Sequence, residues 1–163
     1  LQCKPQSPLC NTCPLSSSCL ALKNNKISML PVKLKKGKIK KRYFNYLVFQ
    51  SEENKTILEK RSGKGIWEGL YQFPLIETDG LLASEELELE DNFLEIAGKD
   101  KLKLVLYNEI PVIHKLSHQH IYTRFWLIEK DTLPNTAISI DKLEEYPVPV
   151  LIANFLNEYS FSY

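Results

Sequence analysis

Residues 42–74 read RYFNYLVFQSEENKTILEKRSGKGIWEGLYQFP, and this stretch contains the strongest fold signals in the chain. Arg42–Gln50 is rich in β-branched and aromatic residues, which predicts a strand. Thr56–Arg61 predicts a second strand, and the polar stretch Ser51–Lys55 predicts the turn of a hairpin between them. The stretch therefore indicates a β-sheet at the start of a globular domain.

A glycine-rich loop follows the predicted hairpin. Ser62–Glu77 carries three glycines near its start and then a short aromatic and apolar run. A phosphate-binding P-loop or a dinucleotide-binding loop would lead into a helix N-terminus, but strand-like sequence follows here, so both are excluded. Within the loop, Trp67 is predicted to anchor the core.

The remaining 86 residues alternate between helical and strand-like patterns. Ser84 is a plausible N-cap for a helix that ends at Gly98, with Leu89, Phe93 and Ile96 as its core stripe. Pro149 is expected in the first turn of a C-terminal helix, where its missing N–H costs little. The predicted elements are a helix at Ser84–Gly98, strands at Lys103–Leu116 and His120–Glu129, and a helix at Pro147–Tyr159. Together they predict an α/β (α+β) body with a mixed sheet flanked by helices.

The totals indicate one domain with an appendage. The chain has 163 residues, and 44% are hydrophobic, which is enough for a core. It opens with Leu1, so we expect it to be part of a longer protein. No apolar run approaches the ~20 residues of a membrane span, and no signal segment is present. We therefore expect an intracellular protein, in the cytoplasm or nucleoid if bacterial, without membrane contact.

Charge is divided unequally along the chain. Leu1–Ser51 contains ten Lys or Arg residues and no acidic residue, whereas Glu52–Tyr163 contains 11 Lys or Arg against 20 Asp or Glu. Such an asymmetry suggests a basic arm joined to an acidic body. The basic residues around Lys33–Arg42 form either a solvated linker or a phosphate-binding segment.

All four cysteines lie near the start of the chain, in the pattern C-x6-C-x2-C-x5-C. Two disulfides fit poorly, because nothing marks the chain for secretion. Zinc sites usually consist of two short cysteine pairs that are well separated in sequence. The compact spacing here suits a cubane iron–sulfur cluster better, although zinc remains an alternative. The candidate ligands are Cys3, Cys10, Cys13 and Cys19.

The same cysteine spacing resembles the end of the catalytic domain in endonuclease III-type helix–hairpin–helix DNA glycosylases, where it holds a 4Fe–4S cluster. One branch of that family, the adenine DNA glycosylases, continues through a linker into a Nudix-like C-terminal domain. Gly65–Pro74 of this chain is similar to the corresponding segment of that domain. The resemblance implies three regions: residues 1–22 close the glycosylase domain, 23–41 form a basic linker, and 42–163 form a Nudix-like 8-oxoguanine recognition domain.

The glutamates required by Nudix hydrolases are missing from the predicted helix. Aligning Gly80 and Glu86 to the start of the Nudix box places Gly98 and Lys99 where two metal-binding glutamates should stand. Magnesium needs hard oxygen ligands, so hydrolysis of nucleoside diphosphates is not expected. The acidic residues of the helix are interpreted as a solvated face: Glu85, Glu86, Glu88, Glu90 and Asp91.

All three histidines fall in the stretch HKLSHQH, at positions 114, 118 and 120. In one continuous strand they would share a face with Leu116, and three imidazoles can bind zinc. Alternatively, a Ser–His tip between two strands presents hydrogen-bonding groups to a base edge. A surface turn with merely polar histidines is the third possibility.

The adenine glycosylase resemblance bears on this stretch as well. The family carries His-x-Phe-Ser-His on a loop that meets the 8-oxoguanine opposite the target adenine, and the match is His114, Ser117 and His118. Leu116 replaces the phenylalanine, although leucine can also serve as an apolar wedge. The implied DNA-binding and 8-oxoguanine-binding residues are Leu116, Ser117 and His118. The candidate phosphate contacts, in the linker and at the first residue of the domain, are Lys35, Lys36, Lys38, Lys40, Lys41 and Arg42.

The resemblance also implies a function. The full-length protein would excise adenine opposite 8-oxoguanine or guanine in double-stranded DNA, during base excision repair. Its two catalytic carboxylates would lie in an N-terminal catalytic domain, so this chain would contain no catalytic residue and would be inactive alone. Its cysteines would hold the 4Fe–4S cluster in the full-length protein and be empty, oxidised or zinc-loaded here. The alternative is a zinc-bearing protein-interaction module on a Nudix-like scaffold.

Overall fold

The computed structural model describes residues 2–4, 6–30, 37–98 and 102–161. The chain divides into an N-terminal unit, Leu1–Lys38, and a C-terminal unit, Ile39–Tyr163. The described residues of the N-terminal unit contain one short helix and three single 3₁₀ turns. These are α1 at Leu20–Lys23 and the turns at Cys10–Thr12, Ser16–Ser18 and Ile27–Met29.

The C-terminal unit contains nine strands, three α-helices and one 3₁₀ helix among its described residues. Its strands are β1 (Lys40–Ser51), β2 (Lys55–Thr56), β3 (Glu59–Lys60), β4 (Tyr71–Gln72), β5 (Leu75–Thr78), β6 (Leu104–Leu106), β7 (Val112–Lys115), β8 (Gln119–Lys130) and β9 (Ile138–Ser139). Its helices are α2 (Ser84–Glu88), α3 (Asp91–Ala97), a 3₁₀ helix (Ile140–Glu145) and α4 (Val150–Glu158).

Strands β1 and β8 form the parallel centre of a seven-stranded sheet. Their register runs without interruption from Lys40 opposite Gln119 to Ser51 opposite Lys130. β5 and β2 pair antiparallel with the far edge of β1, and β6 and β7 pair antiparallel with the far edge of β8. β3 and β4 form a separate two-stranded sheet. The predicted mixed sheet with flanking helices is confirmed.

The sheet buries apolar side chains on both faces, because side chains alternate along each strand. On the first face, Phe44, Tyr46 and Val48 pack with residues of α4 in one core cluster. On the second face, Leu47 and Phe49 join residues of α2 and α3 in another cluster. Burial on both sides explains why β1 lacks a simple alternation of apolar and polar residues.

Asn45 is the polar centre of the second face, and it is 2% exposed. Its amide oxygen accepts a hydrogen bond from the Trp126 indole at 3.1 Å. Its amide nitrogen lies 3.3 Å from the Ile76 carbonyl and 3.1 Å from the Thr78 hydroxyl, and donates toward both. These bonds satisfy a buried amide that would otherwise cost free energy, and they join three strands.

The prediction that Thr56–Arg61 is one strand is wrong. Only Lys55–Thr56 continues the hairpin with β1, and Glu59–Lys60 pairs with β4 in the small sheet. Between these two short strands the buried side chain of Leu58 enters the core of the first face. The chain leaves the edge of β1 at the point where Leu58 is buried.

The predicted helix Ser84–Gly98 is two helices. Glu90 is extended, with φ −65° and ψ 134°, and it caps α3. Ser84 lies inside α2, whereas the N-cap is Ala83, whose N–H donates to the Glu86 carboxylate at 2.7 Å. Leu89, expected in the core stripe, is 83% exposed because the break turns it outward. Phe93 is buried as predicted.

The predicted strand Lys103–Leu116 is also interrupted, between β6 and β7. The side chain of Asn108 occupies the gap: its amide oxygen accepts from the Phe125 N–H at 2.8 Å, and its amide nitrogen donates to the Thr123 carbonyl at 3.0 Å. These side-chain bonds replace the missing ladder to β8. At the C-terminus, the helix predicted at Pro147–Tyr159 is α4, Val150–Glu158, and Pro149 is its N-cap and not a residue of its first turn.

None of the helices in the described part of the chain is long and apolar enough to cross a membrane.

Phe155 is expected to be the main anchor of α4. Its ring stacks on Phe125 at 4.1 Å and meets Phe73 and Tyr107 edge-on. Phe155→Ala should lower the free energy of unfolding by about 3–5 kcal/mol, because it leaves a cavity in this cluster. Urea unfolding followed by circular dichroism measures the change. Asn154→Ala, at an exposed position of the same helix, should change it by less than about 0.5 kcal/mol.

Candidate functional site

The candidate site is the tip of the hairpin formed by β7 and β8. The last ladder pair is Lys115 opposite His120, and the Leu116 N–H donates to the Gln119 carbonyl at 2.8 Å. Ser117 and His118 therefore occupy a tight two-residue turn, and both side chains are exposed. The tight turn closes a ladder of four residue pairs and places these two side chains at its end, on the surface.

The two exposed side chains at the tip contact each other. Ser117 Oγ lies 3.2 Å from His118 Nδ1, within hydrogen-bond distance. This contact orients the imidazole and leaves its Nε2 atom available for another partner. Leu116 differs from both, because its side chain is partly buried against the core of the first face. The tip thus combines one apolar anchor with two polar groups.

The hypothesis of a three-histidine zinc site is wrong for this geometry. His114 pairs with Ile121, whereas His120 pairs with Lys115, so the two histidines point to opposite faces of the hairpin. His118 lies in the turn. Within the described ranges, no group of three or more histidine, cysteine or acidic side chains is arranged to hold a metal ion.

The glycine-rich loop supports the hairpin from the side. Trp67 packs against His114, with 5.4 Å between ring centroids, and meets Phe44 edge-on at 6.3 Å. The prediction that Trp67 anchors the core therefore holds. Its backbone φ is +61°, a left-handed conformation that is uncommon for a large side chain. This strained backbone position brings the indole against His114, which lies two residues before Leu116 on the hairpin.

Arg61 holds the same loop closed. Its Nε donates to the Ile66 carbonyl at 3.0 Å, and one of its terminal nitrogens donates to Gln72 Oε1 at 2.8 Å. The Gly69 N–H returns a hydrogen bond to the Arg61 carbonyl at 2.9 Å. The guanidinium also lies 5.6 Å from the centre of the Phe44 ring. These contacts define the position from which Trp67 reaches the hairpin.

The start of β1 lies beside the hairpin tip. The Lys40 N–H donates to the His118 carbonyl at 3.1 Å, and both Lys40 and Lys41 have exposed side chains. Of the other candidate phosphate contacts, Lys38 is exposed in the N-terminal unit. Lys35 and Lys36 lie outside the described residues. So does Lys99, which the alignment placed at a glutamate position of the Nudix box. Two lysines of the predicted set are therefore adjacent to the tip.

Arg42 has a different environment from these lysines. It forms a bidentate ion pair with Glu77, at 2.6 Å from Nε and 2.5 Å from a terminal nitrogen, and it lies 4.8 Å from the centre of the Phe44 ring. The hydrogen bond from Arg42 lowers the pKa of Glu77, and the hydrogen bond to Glu77 raises the pKa of Arg42. Arg42 is thus bound within the fold, which makes it a weaker candidate for phosphate than Lys40 or Lys41.

The four cysteines of the N-terminal unit lie around one cavity of about 40 Å³. All four are free thiols. Cys10 and Cys13 are joined through a backbone hydrogen bond of 3.1 Å, and the Cys19 carbonyl accepts from the N–H of Lys23 in α1. Four thiolates are the donor set of a cubane cluster, but in this structure the four described cysteines do not form a group that could hold a metal ion.

The acidic residues of α2 and α3 lie on the surface. Glu85, Glu86, Glu88 and Asp91 are exposed, and Glu90 is half-buried. Glu86 caps α2 through the Ala83 N–H. The interpretation of these residues as a solvated helix face agrees with their exposure.

The Arg42–Glu77 pair should make stability depend on acid pH. The pKa of Glu77 lies below its ordinary value of 4.5 in the folded protein, so the pair stabilises fully above that value and its contribution is lost as pH falls through the lowered pKa. Glu77→Gln should cost about 0.5–1 kcal/mol at neutral pH, because the pair is partly exposed. Urea unfolding from about pH 7 to about pH 3 should show a shallower acid loss in the variant than in the parent.

Glu52→Gln provides the control, because Glu52 is exposed and forms no ion pair with a described residue. It should leave the acid dependence unchanged. Equal pH profiles for Glu77→Gln and the parent protein would contradict a stabilising role of the pair.

The chain is similar to one domain family and to two adenine DNA glycosylases. The model of the NUDIX domain family matches residues 45–158. The chain is 35% identical over 131 residues to the adenine DNA glycosylase of Buchnera aphidicola subsp. Baizongia pistaciae, covering 78% of this chain and 34% of that protein. The enzyme of subsp. Schizaphis graminum is 35% identical over 121 residues, covering 72% and 31%. The chain thus spans about a third of the length of these two relatives.

A solved structure shares the fold. The C-terminal domain of mouse MUTYH, in its complex with human PCNA, superposes with a TM-score of 0.52 at 17% identity, covering 72% of this chain and 86% of that chain. Its low identity makes this a likeness of fold alone. The resemblance to adenine DNA glycosylases that the sequence predicted is confirmed by the relatives, and the matched domain shows that the chain belongs to the NUDIX domain family.

Proposed function

We propose that this chain is the lesion-recognition part of an adenine DNA glycosylase that removes adenine mispaired with 8-oxoguanine. The observation that carries the proposal is the exposed Ser117–His118 pair at the tip of the β7–β8 hairpin. The two adenine DNA glycosylases that match most of this chain support it. The proposed binding partner is double-stranded DNA with adenine opposite 8-oxoguanine or guanine.

The chemistry of the tip suits inspection of a base edge. A serine hydroxyl donates and accepts hydrogen bonds, and a neutral imidazole has one donor and one acceptor nitrogen. The Hoogsteen edge of guanine presents acceptors at N7 and O6, and oxidation to 8-oxoguanine turns N7 into a donor. In our proposal the Ser–His pair presents an acceptor, the hydroxyl oxygen or an unprotonated imidazole nitrogen, to the N7–H of 8-oxoguanine, which guanine lacks.

Leu116 has the third role at the tip. Its side chain is partly buried against the core, so its first contribution is to hold the turn in place. Parting a base step as an apolar wedge would require the side chain to leave this contact. In our proposal, Leu116 therefore positions Ser117 and His118 and reaches DNA only after a local rearrangement.

The chemistry of base excision is assigned to another part of the protein. In our proposal the two catalytic carboxylates lie in an N-terminal helical domain, which also forms a partner surface for this chain. This chain would contain no catalytic residue and would release no adenine by itself. The parent enzyme would act on DNA inside the cell.

The cysteines are proposed to hold a 4Fe–4S cluster in the full-length protein, at the boundary between a glycosylase domain ending near residue 22 and the linker 23–41. The ligands would be Cys3, Cys10, Cys13 and Cys19, and the support is their spacing together with the adenine DNA glycosylase relatives. The cluster would cross-link the turns of a segment that has little core of its own. The Nudix-like recognition domain would then occupy 42–163.

The test of lesion recognition is duplex binding at low salt. The chain should bind a duplex with adenine opposite 8-oxoguanine more tightly than one with adenine opposite guanine. Ser117→Ala/His118→Ala should remove that preference, at a loss of about 1–3 kcal/mol for the lesion duplex, because the base edge loses its partners. Fluorescence anisotropy measures both affinities.

Asn135→Ala/Thr136→Ala is the matched control, since both residues are exposed and uncharged on a different loop. It should keep the full preference. If all three proteins bind both duplexes equally, recognition does not reside in this chain, and the alternative of a zinc-bearing protein-interaction module is favoured.

The cluster is tested by anaerobic reconstitution with iron and sulfide. The full-length protein should take up about four irons and show the visible absorbance of a cubane cluster. Cys13→Ser should bind less iron, whereas Ser16→Ala, on the same cavity, should behave like the parent protein. Uptake of one zinc per chain in preference to the cluster would contradict the assignment.

A further inference from the structure

The open half of the second sheet face carries a surface that the proposed function does not use. Helices α2 and α3 cover the half of this face that contains Leu47. The other half, next to the hairpin tip, is formed by two rows of side chains across neighbouring strands. We call them the platform: Lys41, His120 and Lys115 in the first row, and Thr78, Tyr43, Tyr122 and Ile113 in the second.

The strand register places each row on one face. Lys41 is opposite His120, which is opposite Lys115 on the next strand. Directly paired residues of a sheet share a face and lie about 5 Å apart, so the first row brings two ammonium groups and an imidazole together. The second row begins two residues farther along each strand. The platform therefore starts immediately beside Ser117 and His118.

The tyrosines of the second row form a stacked pair. The rings of Tyr43 and Tyr122 are 5.1 Å apart at 22°, and the Lys41 ammonium lies 6.0 Å from the centre of the Tyr122 ring. Both tyrosines are only partly buried and belong to neither core cluster. Neither hydroxyl has a hydrogen-bond partner among the described residues. Two phenol groups on a sheet surface are thus available to an external partner.

Cationic groups of the platform are equally available. Lys41 and Lys115 are exposed, and neither forms an ion pair with a described residue. The platform contains no carboxylate, although residues 52–163 have 20 acidic against 11 basic residues. A carboxylate-free basic patch on an acidic body selects for a negatively charged partner.

We propose that the platform binds the phosphates of the DNA strand that carries the base inspected by the hairpin tip. Lysine and tyrosine side chains contact phosphate oxygens in DNA complexes, and such contacts set the position of the protein on the duplex. The orientation part of this inference rests on the proposed function, because it assumes that the tip reads a base. Phosphate binding by the platform does not require a lesion.

The platform and the tip would have separate effects on binding. Each phosphate that the platform neutralises steepens the dependence of affinity on salt by about 0.9 in log–log slope. Contacts at a base edge change affinity for one sequence or lesion over another. A platform variant should therefore lower affinity for damaged and undamaged duplexes by the same factor, with a shallower salt slope.

The experiment compares two double variants of equal charge. Lys41→Ala/Lys115→Ala removes the platform ammonium groups, and Lys60→Ala/Lys142→Ala removes two exposed lysines elsewhere on the body. The platform variant should bind both duplexes roughly tenfold more weakly, and its salt slope should fall by up to about 0.9 for each lost contact. The control variant should stay within about twofold of the parent protein. Anisotropy titrations at several salt concentrations provide both quantities.

A second variant tests the tyrosines without disturbing the stacked rings. Tyr43→Phe/Tyr122→Phe removes only the two hydroxyl groups, so the fold should be retained, and thermal unfolding checks this. Affinity for both duplexes should fall on the order of threefold, because hydroxyl–phosphate hydrogen bonds are lost. An unchanged affinity would remove the tyrosines from the proposed site.

The outcomes separate this inference from the proposed function. In one outcome the parent protein shows no lesion preference, while the platform variant, but not the control variant, weakens binding. That result would support phosphate binding by the platform and contradict the proposed lesion recognition. Equal weakening by the platform and control variants would overturn the platform, whatever the preference of the tip. A polyglutamate peptide serves as the second probe, and loss of its binding by the same factor would indicate a general acidic-partner surface and overturn the assignment to DNA.

Discussion

The parallel pairing of β1 with β8 is the constraint on which the rest of the structure depends. Twelve consecutive residue pairs join the two strands, and each strand accepts further antiparallel strands on its outer edge. Parallel strands require a long crossover between them, and here the crossover contains α2 and α3. Those helices cover the second face, so the same pairing determines where a core forms and where the sheet stays open.

This pairing also brings the candidate site together. Its first pair, Lys40 opposite Gln119, places the basic start of β1 beside the tip of the β7–β8 hairpin. A shift of one residue would turn every side chain to the other face, which would bury Lys41 and expose part of the core. The buried network from Asn45 to Trp126 resists such a shift, because its hydrogen bonds form only in one register.

Some elements were predictable because their signals are local. β1 and β8 are long and rich in β-branched and aromatic residues, and both lie where the patterns placed them. The helix break before α3 was missed because no proline or glycine marks it. The gap between β6 and β7 was missed although Pro111 lies in it. Asn108 shows the reason: its side chain substitutes for ladder hydrogen bonds, and that role exists only once β8 lies beside it. In the sequence, Asn108 is only a polar residue within an apolar run, and that pattern alone does not predict a break in the strand.

The candidate site was likewise only partly predictable. Ser117 and His118 were found from their order in the sequence, which needs no tertiary information. Trp67, Arg61 and the Tyr43–Tyr122 pair were missed as neighbours of the site, since they come from strands and loops far apart in the chain. The sequence by itself determined the mixed α+β class, the long central strands and the Ser–His turn, because local propensity and side-chain chemistry decide these features. Only the tertiary structure decided that Arg42 pairs with Glu77 while Lys41 and Lys115 remain open, because strand register assigns each side chain its face and its neighbours.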